Sequence, residues 1–509
     1  MRRLTVILAI YLISAAALPG QVPPASPEQP SLVLLVVVDQ MRYEYLTRFA
    51  PEFSGGLKRL LEEGAVFTNA NYESAPTMTA VGHSTILSGA PPMLSGIVGN
   101  TWYERSEART VQSITDDNVA PLGGGSGASP HRLAVSMIGD ELKLSGKGGK
   151  VFGVSLKDRS AILPAGRSAD GAFWLNGGHF VSSTWYFESL PDWVGDFNAA
   201  GRADEYAGRQ WLGTSMPEEA GPALYRALDA TPFADEIVLE FALSLMAEEQ
   251  LGSDALTDLL AVSFSAMDYL GHRSGPYTEL MHDMVLQVDR TIGRLLEAAE
   301  RQAGAGKVLV VLTADHGVAA VPEENIERNL PGGRYNVRAE RDAVEEALGG
   351  EFGEGTYVAA TGEMGLYLNL EPVPGKQIDR GDLEQVAADA LRRQPHVYRV
   401  YTRTDLERAR VNGDRIDRRV LQGFHVQRSP DVLVVHEPNW LGGGGTNHGS
   451  PFSYDTHVPL IFWGPEALVK PGWYHREAAI HDVAPTLAGM LRIAQPSGSI
   501  GRVLDEILP

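Results

Sequence analysis

The sequence predicts an α/β fold in which helices cover a mostly parallel central sheet. Four continuous apolar runs, residues 32–38, 151–155, 259–264 and 308–312, are typical of strands that are buried on both faces. Between them, residues 278–301 carry apolar side chains at helical spacing. Buried strands separated by amphipathic helices indicate a layered α/β domain.

Length and composition limit the class of protein. The 509 residues are enough for one large domain with insertions or for two domains of ordinary size. The hydrophobic content of 44% and charged content of 21% are typical of a soluble enzyme rather than a disordered or fibrous chain. The net charge of -21 has no basic block to offset it, so we expect small substrates and no nucleic-acid partner. Because cysteine is absent, neither disulfides nor thiolate ligands are available.

The N-terminus has the layout of an export signal. A basic start, Met1-Arg2-Arg3, is followed by an apolar stretch over residues 4–17 and then by small residues, which predicts a signal peptide over residues 1–20. The alternative is an uncleaved membrane anchor, but so short an apolar run would barely cross a bilayer. We therefore expect a periplasmic or secreted protein without stable membrane association after removal of the signal.

The rest of the chain is expected to form a linker and one α/β domain that is interrupted by insertions. Residues 21–31 are rich in proline and are predicted to form a linker. The α/β domain is expected to comprise residues 32–324 and 441–509. Residues 165–250 are rich in aromatic side chains and are expected to form an insertion near the functional site. Residues 325–440 mix helical and strand patterns and are expected to form an inserted subdomain. The oligomeric state stays open, and a monomer is compatible with the sequence.

Polar residues follow the predicted strands. Those that come after the four apolar runs are Asp39, Lys157, Asp268 and Asp315. Because ligands of open parallel sheets bind outside the carboxyl ends of the strands, these side chains are expected to meet at one rim. A fifth apolar run, residues 458–463, has its polar residue, His457, in front of it. This run fits the same rim only if its strand is antiparallel.

Carboxylates and imidazoles suggest two sets of metal ligands. One set is Asp39, Asp315 and His316, and the other is Asp268, His272 and His457. Taken singly, the pairs Asp315–His316 and Asp268–His272 would more often be structural, as helix caps or surface ion pairs. Together they match zinc, which accepts carboxylate and imidazole ligands and typically takes three protein ligands at an open site. Two zinc ions against three carboxylates leave a cationic site that suits a phosphate dianion, and two metals can assist an in-line displacement.

Thr79 is the candidate nucleophile. It follows Pro76 at the predicted start of a helix, where backbone N–H groups point toward a bound anion. A hydroxyl in that position is often only a helix cap, but a neighbouring zinc ion lowers its pKa and activates it. On spacing alone, Thr77, Ser84 and Thr85 remain alternatives.

These motifs resemble the alkaline phosphatase superfamily. The closest resemblance is to its phosphate-irrepressible periplasmic alkaline phosphatase branch, which is related to the nucleotide pyrophosphatase/phosphodiesterases. The matching segments run in the family's order: VDQMR (38–42), PTMTAVGH (76–83), GN (99–100), SLKDR (155–159), SAMDYLGH (265–272), TADHG (313–317) and YDTHVP (454–459). The resemblance implies an alkaline-phosphatase-like sheet sandwiched by helices, with inserted cap subdomains.

The resemblance also implies roles for the site residues. Thr79 would bridge the two zinc ions of the proposed ligand sets and form a phosphothreonine intermediate. Asn100 and the Thr79 N–H would bind a nonbridging phosphate oxygen. Lys157 and Arg159 look like the pair that distinguishes monoesterases from diesterases, since they bind oxygens that a diester would have esterified. Without the resemblance, residues 157–159 would be interpreted as a solvated charged turn.

Three further histidines are placed outside the ligand sets: His83, His448 and His481. His83 is expected to pack or to form hydrogen bonds beneath the site. The expected function is an exported two-zinc phosphomonoesterase that acts on small phosphate esters and releases inorganic phosphate. The alternatives are a phosphodiesterase or nucleotide pyrophosphatase of the same superfamily, and a noncatalytic metal-containing binding protein.

Overall fold

The computed structural model describes residues 29–373, 375–410 and 413–509. The predicted signal peptide (1–20) and residues 21–28 of the predicted linker lie outside these ranges. Within them, no helix combines the length and the apolar character needed to cross a bilayer.

The strands of the described ranges are short apart from those at the centre of the main sheet. In chain order they are β1 (Leu32–Val38), β2 (Ala65–Phe67), β3 (Ala70–Asn71), β4 (Thr101–Glu104), β5 (Arg109–Gln112), β6 (Pro121–Leu122), β7 (Gly148–Ser155), β8 (Gly171–Asn176), β9 (His179–Ser183), β10 (Gln210–Trp211), β11 (Thr214–Ser215), β12 (Thr257–Phe264), β13 (Val308–Thr313), β14 (Gly333–Tyr335), β15 (Val358–Gly362), β16 (Gly365–Leu368), β17 (Val397–Thr402), β18 (Val432–His436), β19 (Trp440–Gly442), β20 (Leu460–Trp463), β21 (Gly472–Tyr474) and β22 (Ala478–Ala479).

The helices vary more in length. In chain order they are α1 (Glu44–Arg48), α2 (Gly56–Glu63), α3 (Thr79–Ser88), α4 (Pro92–Ser95), α5 (Ile138–Leu144), α6 (Asp158–Ala165), α7 (Asp192–Ala199), α8 (Pro222–Leu228), α9 (Pro232–Glu248), α10 (Ala266–Ser274), α11 (Glu279–Ala303), α12 (Pro322–Glu327), α13 (Val337–Phe352), α14 (Arg380–Arg392), α15 (Arg403–Glu407), α16 (Arg415–Gly423), α17 (Ser453–Thr456) and α18 (Val483–Leu491).

The central sheet confirms the predicted α/β fold. Among the described residues it has ten strands in the order β21-β2-β20-β13-β1-β12-β7-β8-β9-β6. The five strands from β13 to β8 are parallel to one another. The seven residues of β1 are all buried, because strands flank it on both sides and helices cover both faces. This explains why the run at 32–38 is apolar without alternation.

Helices pack on the two faces of the sheet. On β7, a Cβ at Gly153 would lie 2.1 Å from the carbonyl oxygen of Ala161, so this face lies directly against α6. The neighbouring Phe152 points the other way, toward a cluster in which the rings of Phe173 and Phe241 are 5.2 Å apart. Phe241 belongs to α9. The aromatic residues of this region therefore fill the core between α9 and the sheet.

The strand that begins after His457 is antiparallel. β20 pairs antiparallel with β13, and Leu460 lies opposite Thr313. The condition under which residues 458–463 reach the predicted rim is therefore met. The start of β20 and the end of β13 lie side by side.

A second sheet lies in the segment between β14 and β19. Its strand order is β15-β16-β18-β17. The helices α13 and α14 pack on it and enclose a separate apolar core that includes Val344, Leu348, Leu383 and Leu391. The turn between β15 and β16 reaches back to the main domain at Thr101.

Candidate active site

The structure brings the polar residues of the strand ends together. Asp39 directly follows β1, and Asp268 lies in the first turn of α10, just after β12. The Nζ atom of Lys157, at the end of β7, lies 2.7 Å from Oδ2 of Asp39 and 2.5 Å from Oδ2 of Asp268. Asp315 follows β13 and joins the same group. The convergence arises because the parallel strands end at one edge of the sheet.

The first predicted ligand set forms a compact buried cluster. The Nε2 atom of His316 lies 3.5 Å from Oδ1 of Asp39 and 3.4 Å from Oδ2 of Asp315. Nδ1 of His316 donates to the carbonyl of Gly317 at 2.9 Å, so Nε2 carries no proton and presents its lone pair to the carboxylates. Among the described residues, these two carboxylate oxygens are buried without a hydrogen-bond partner. Such a donor set fits a divalent cation, which would neutralise oxygens that are otherwise costly to bury.

The second cluster centres on Asp268. Its Oδ1 atom lies 3.2 Å from Nε2 of His272 and 3.7 Å from Nε2 of His448. Both histidines donate from Nδ1 to backbone carbonyls, His272 to Thr446 at 3.0 Å and His448 to Thr77 at 2.7 Å. These bonds direct both Nε2 atoms toward Asp268. Although burial acts in the opposite direction, the carboxylate of Asp268 raises the pKa of His272, so a metal ion bound at its Nε2 would displace a proton.

His448 replaces His457 in this cluster, which corrects the ligand set inferred from the sequence. The Nε2 atom of His457 donates to the carbonyl of Thr68 at 3.0 Å, and its ring stacks on Tyr43 at 4.4 Å. The imidazole of His448 instead stacks on that of His316 at 3.5 Å, between the two clusters. The sequence did contain a signal for His448, because the histidine–glycine pair at 448–449 repeats the pair at 316–317.

Sequence reasoning also missed Gln40. Its backbone N–H donates to Oδ1 of Asp315 at 3.0 Å, and its side-chain Nε2 donates to Oδ1 of Asp268 at 2.6 Å. The residue adopts a left-handed conformation with φ of 67°, which is uncommon for a residue with a side chain. Gln40 thus orients one carboxylate of each cluster.

The electrostatics of the site follow from burial and crowding. Burial, together with the neighbouring charge of Asp315, raises the pKa of Asp39 to about 7, although Lys157 acts in the opposite direction. Burial opposes the ionisation of Asp268, but Lys157 and the nearby histidine hold its pKa well below the ordinary range. Burial lowers the pKa of His316 to about 4 and that of His448 well below its usual range. Both imidazoles are therefore neutral near pH 7, which is the ligand form.

Thr79 is the hydroxyl that faces the clusters. It is 1% exposed at the first position of α3, and its Oγ1 lies 3.4 Å from Nε2 of His316. Met78 is the N-cap residue, and no side chain makes a cap hydrogen bond there, so Thr79 does not act as the helix cap. The alternative hydroxyls all donate to backbone carbonyls, that of Thr77 to Ser450, and those of Ser84 and Thr85 to Val81.

His83 supports this helix from below. Its Nδ1 donates to the carbonyl of Thr79 at 2.9 Å, and its Nε2 lies 2.8 Å from the hydroxyl of Ser263. Nδ1 is also 3.3 Å from Oδ2 of Asp315, but its hydrogen is directed at Thr79. The structure therefore places His83 beneath the site, in hydrogen-bonding contact with it.

The predicted phosphate-binding residues lie on segments that neighbour α3. Oδ1 of Asn100 accepts a hydrogen bond from the N–H of Ala80 at 2.9 Å, so the side-chain amide lies against the start of α3. Lys157 precedes α6 and Arg159 lies in its first turn. The Nε of Arg159 is buried and has no hydrogen-bond partner in the described part of the chain.

A cavity of about 100 Å³ opens beside His448. Its wall combines apolar and aromatic side chains, among them Tyr335, Met364, Trp440 and Phe452, with the carboxylates of Glu340, Glu363, Glu437 and Asp455. A partly apolar cavity next to convergent polar groups is the usual form of a small-molecule site.

The fold and the site define a class of protein: an α/β enzyme with clustered metal ligands beside a buried threonine hydroxyl. The family described as type I phosphodiesterase / nucleotide pyrophosphatase matches residues 33–457, and the chain belongs to this family. The comparison confirms the resemblance to the alkaline phosphatase superfamily and its pyrophosphatase/phosphodiesterase relatives.

Individual relatives match nearly the whole chain. A Myroides odoratus protein named calcium-transporting ATPase is 33% identical, and the match covers 94% of this chain and 95% of the relative. Alkaline phosphatase PhoV of Synechococcus elongatus is 32% identical, with 95% and 94% covered. The crystal structure of wild-type alkaline phosphatase PafA superimposes with a TM-score of 0.88 at 30% identity, covering 94% of this chain and 99% of that chain. The structural match confirms the predicted alkaline-phosphatase-like fold.

Proposed function

We propose that this protein is a metal-dependent alkaline phosphatase that hydrolyses phosphate monoesters at Thr79. The observation that carries the proposal is the position of the Thr79 hydroxyl, 3.4 Å from a histidine of the first ligand cluster. The relatives named alkaline phosphatase support it, because the match to each spans almost the entire chain.

We further propose two zinc ions. One would be held by Asp39, Asp315 and His316, and the other by Asp268, His272 and His448, with Thr79 between them. Two observations support these sets: the buried carboxylate oxygens without partners, and the Nδ1 hydrogen bonds that leave each Nε2 facing a carboxylate. When bound, such a pair of ions stabilises negative charge on the attacking and leaving oxygens.

The chain's own residues would carry out two displacements. In the first, the Thr79 oxygen bonds to phosphorus while the bond from phosphorus to the ester oxygen breaks, giving a phosphothreonine and an alcohol. In the second, a water oxygen bonds to phosphorus and the bond to Thr79 breaks, which releases inorganic phosphate and restores the hydroxyl. The amide of Asn100 and the N–H of Thr79 stabilise a nonbridging oxygen. Lys157 and Arg159 attract the remaining oxygens, which are free only in a monoester.

The leaving group would lie in the cavity beside His448. Its aromatic side chains suit an aryl or other uncharged alcohol, and its carboxylates disfavour a further anionic group. We also propose that residues 1–20 direct export, that the mature protein acts in the periplasm or outside the cell without stable membrane association, and that residues 325–440 form a subdomain that completes this cavity.

A pair of matched substrates tests the function. The metal-loaded protein is assayed with an aryl phosphate and with its methyl diester, and kcat/KM is expected to be higher for the monoester. A preference for the diester would assign the protein to the phosphodiesterases. Failure to hydrolyse either ester, with metal bound, would indicate a noncatalytic binding protein.

A further inference from the structure

Glu363 reaches from the second sheet to the segment that carries Asn100. It lies in the turn between β15 and β16, and its Oε1 accepts hydrogen bonds from the N–H of Thr101 at 3.0 Å and from the Thr101 hydroxyl at 3.4 Å. A Cβ at Gly99 would lie only 2.6 Å from Oε2 of Glu363. The carboxylate is thus packed directly against the backbone of residues 99–101.

The same backbone segment is held from the other side by the start of α3. Oδ1 of Asn100 accepts from the N–H of Ala80, and the backbone carbonyl of Asn100 accepts from the N–H of Ser113 at 2.9 Å. Ala80 is the neighbour of Thr79. A shift of this backbone would therefore move the Asn100 amide relative to the Thr79 hydroxyl.

Contacts between β4 and β16 keep Glu363 in place. The rings of Tyr103 and Tyr367 are 5.7 Å apart. The guanidinium of Arg105 donates to the carbonyl of Leu368 at 3.4 Å and forms an ion pair with Asp431. The turn that carries Glu363 is consequently anchored to the main domain by side chains on both strands.

The carboxylate of Glu363 is buried at this junction. Burial of the carboxylate raises its pKa to about 7, while the N–H groups of Thr101 and Asn100 and the guanidinium of Arg159 act in the opposite direction. Its Oε2 atom is buried without a hydrogen-bond partner in the described ranges. The carboxylate of Glu363 is thus enclosed beside the backbone N–H groups of the segment that carries Asn100.

We propose that Glu363 is a positioning residue, which holds the backbone of residues 99–101 and thereby places the Asn100 amide so that it meets the phosphoryl group. The inference rests on the proposed function, because it assigns phosphoryl binding to Asn100. It gives the second sheet a role in phosphate binding, although the proposed phosphate ligands themselves come from the main domain.

A double-mutant cycle between Glu363 and Asn100 tests this inference. Metal-loaded wild type, Glu363→Ala, Asn100→Ala and the double variant are compared by kcat/KM for an aryl phosphate and by the inhibition constant of inorganic phosphate. Glu363→Ala is expected to lower kcat/KM and to raise the inhibition constant of phosphate, each by about tenfold, which is the effect of losing one charged hydrogen bond. The double variant should be no more than about twofold worse than Asn100→Ala, because the two residues act through one contact.

Two conservative variants separate positioning from general stability. Glu363→Gln keeps an acceptor for the Thr101 N–H and should remain within about threefold of wild type in phosphate inhibition, since a neutral acceptor replaces a charged one. Glu363→Asp keeps the charge but withdraws it by one methylene, so it should resemble Glu363→Ala. These variants also keep the inference testable if the alanine variant does not fold.

Glu345 supplies a matched control. Its carboxylate accepts from the N–H groups of Tyr357 and Val358, both at 2.9 Å, within the second sheet itself. Glu345→Ala should lower the thermal midpoint without changing phosphate inhibition by more than about twofold, because it disturbs only local hydrogen bonds.

The outcomes distinguish this inference from the proposed function. If Asn100→Ala weakens phosphate inhibition but Glu363→Ala does not, or if the two losses multiply, the positioning role is refuted. If metal-loaded wild type does not hydrolyse the monoester at all, the proposed function fails instead.

Discussion

The hydroxyl of Thr79 lies 3.4 Å from Nε2 of His316. Because Nδ1 of His316 donates to the carbonyl of Gly317, the hydroxyl is the group that donates in this contact. The same Nε2 atom lies 3.5 Å from Oδ1 of Asp39, an oxygen that has no hydrogen-bond partner in the described part of the chain. Thr79 therefore lies at the edge of a ligand cluster, where a bound cation would lower the pKa of its hydroxyl.

Removal of the Thr79 hydroxyl should abolish turnover. We expect Thr79→Ala to lower kcat/KM for an aryl phosphate by at least about a thousandfold, as is usual for a lost nucleophile. Metal content and thermal midpoint should be nearly unchanged. Thr85→Ala is the control, since Thr85 is an equally buried hydroxyl of α3 that donates to a backbone carbonyl. Comparable activity of the two variants would remove Thr79 from the mechanism.

The two histidines 448 and 457 should differ in metal binding. His448→Ala is expected to lose about one equivalent of zinc, because removal of one of three protein ligands greatly weakens a site. His457→Ala should keep both equivalents, since its imidazole bonds to the Thr68 carbonyl. Metal analysis of the purified variants makes the comparison. Loss of zinc in His457→Ala alone would restore the ligand set inferred from the sequence.

Arg159 should discriminate between monoesters and diesters. Arg159→Ala is expected to lower kcat/KM for an aryl phosphate by about 10- to 100-fold, the value of a forked, charged contact to phosphoryl oxygens. The methyl diester of the same alcohol should lose much less, because one of those oxygens is already esterified. Equal losses for the two substrates would show that Arg159 has a general structural role.

Chelation should remove both activity and stability. Prolonged dialysis against a chelator is expected to abolish hydrolysis and to lower the thermal midpoint, since buried carboxylates then repel one another without a cation. Readdition of zinc should restore both. Calorimetry and activity on the same samples provide the measurement, and full activity after complete metal removal would contradict the proposed site.

Asp455 should give the folded protein a measurable dependence on pH. Burial raises its pKa from 3.8 to about 7, although hydrogen bonds from Ser450 act in the opposite direction. Between those two pH values the folded protein binds this proton more strongly than the unfolded chain, so the free energy of unfolding falls as pH rises through the window.

Asp455→Asn should remove the contribution of about one proton to the pH dependence of the free energy of unfolding. The denaturant midpoint of metal-loaded protein is measured from pH 5 to pH 8, and the decrease should be smaller in the variant than in wild type. Asp382→Asn is the control, because Asp382 is exposed on α14 and should leave the pH dependence unchanged. Parallel curves for wild type and Asp455→Asn would contradict the assignment.

The rim of the sheet was predictable because it depends only on local sequence and strand direction. Each apolar run ends in, or just before, a polar residue, and parallel strands end at one edge. The strand register aligns these ends at the same level of the sheet, since Val38 pairs with Phe264 and Val37 pairs with Thr313. The carboxylates that follow these strands, Asp39, Asp268 and Asp315, had to meet.

The sequence by itself thus determined the α/β sheet, its buried strands and the carboxylates at its rim, because hydrophobic periodicity and strand ends are local properties. Only the tertiary structure decided which loop histidine faces Asp268 and which turn supports Asn100. The direction of His448 depends on a hydrogen bond to a carbonyl 371 residues away, and that of His457 on another 389 residues away. Glu363 likewise reaches a backbone N–H 262 residues distant. Such orientations are set by contacts between segments that are distant in the sequence, and no local pattern encodes these contacts.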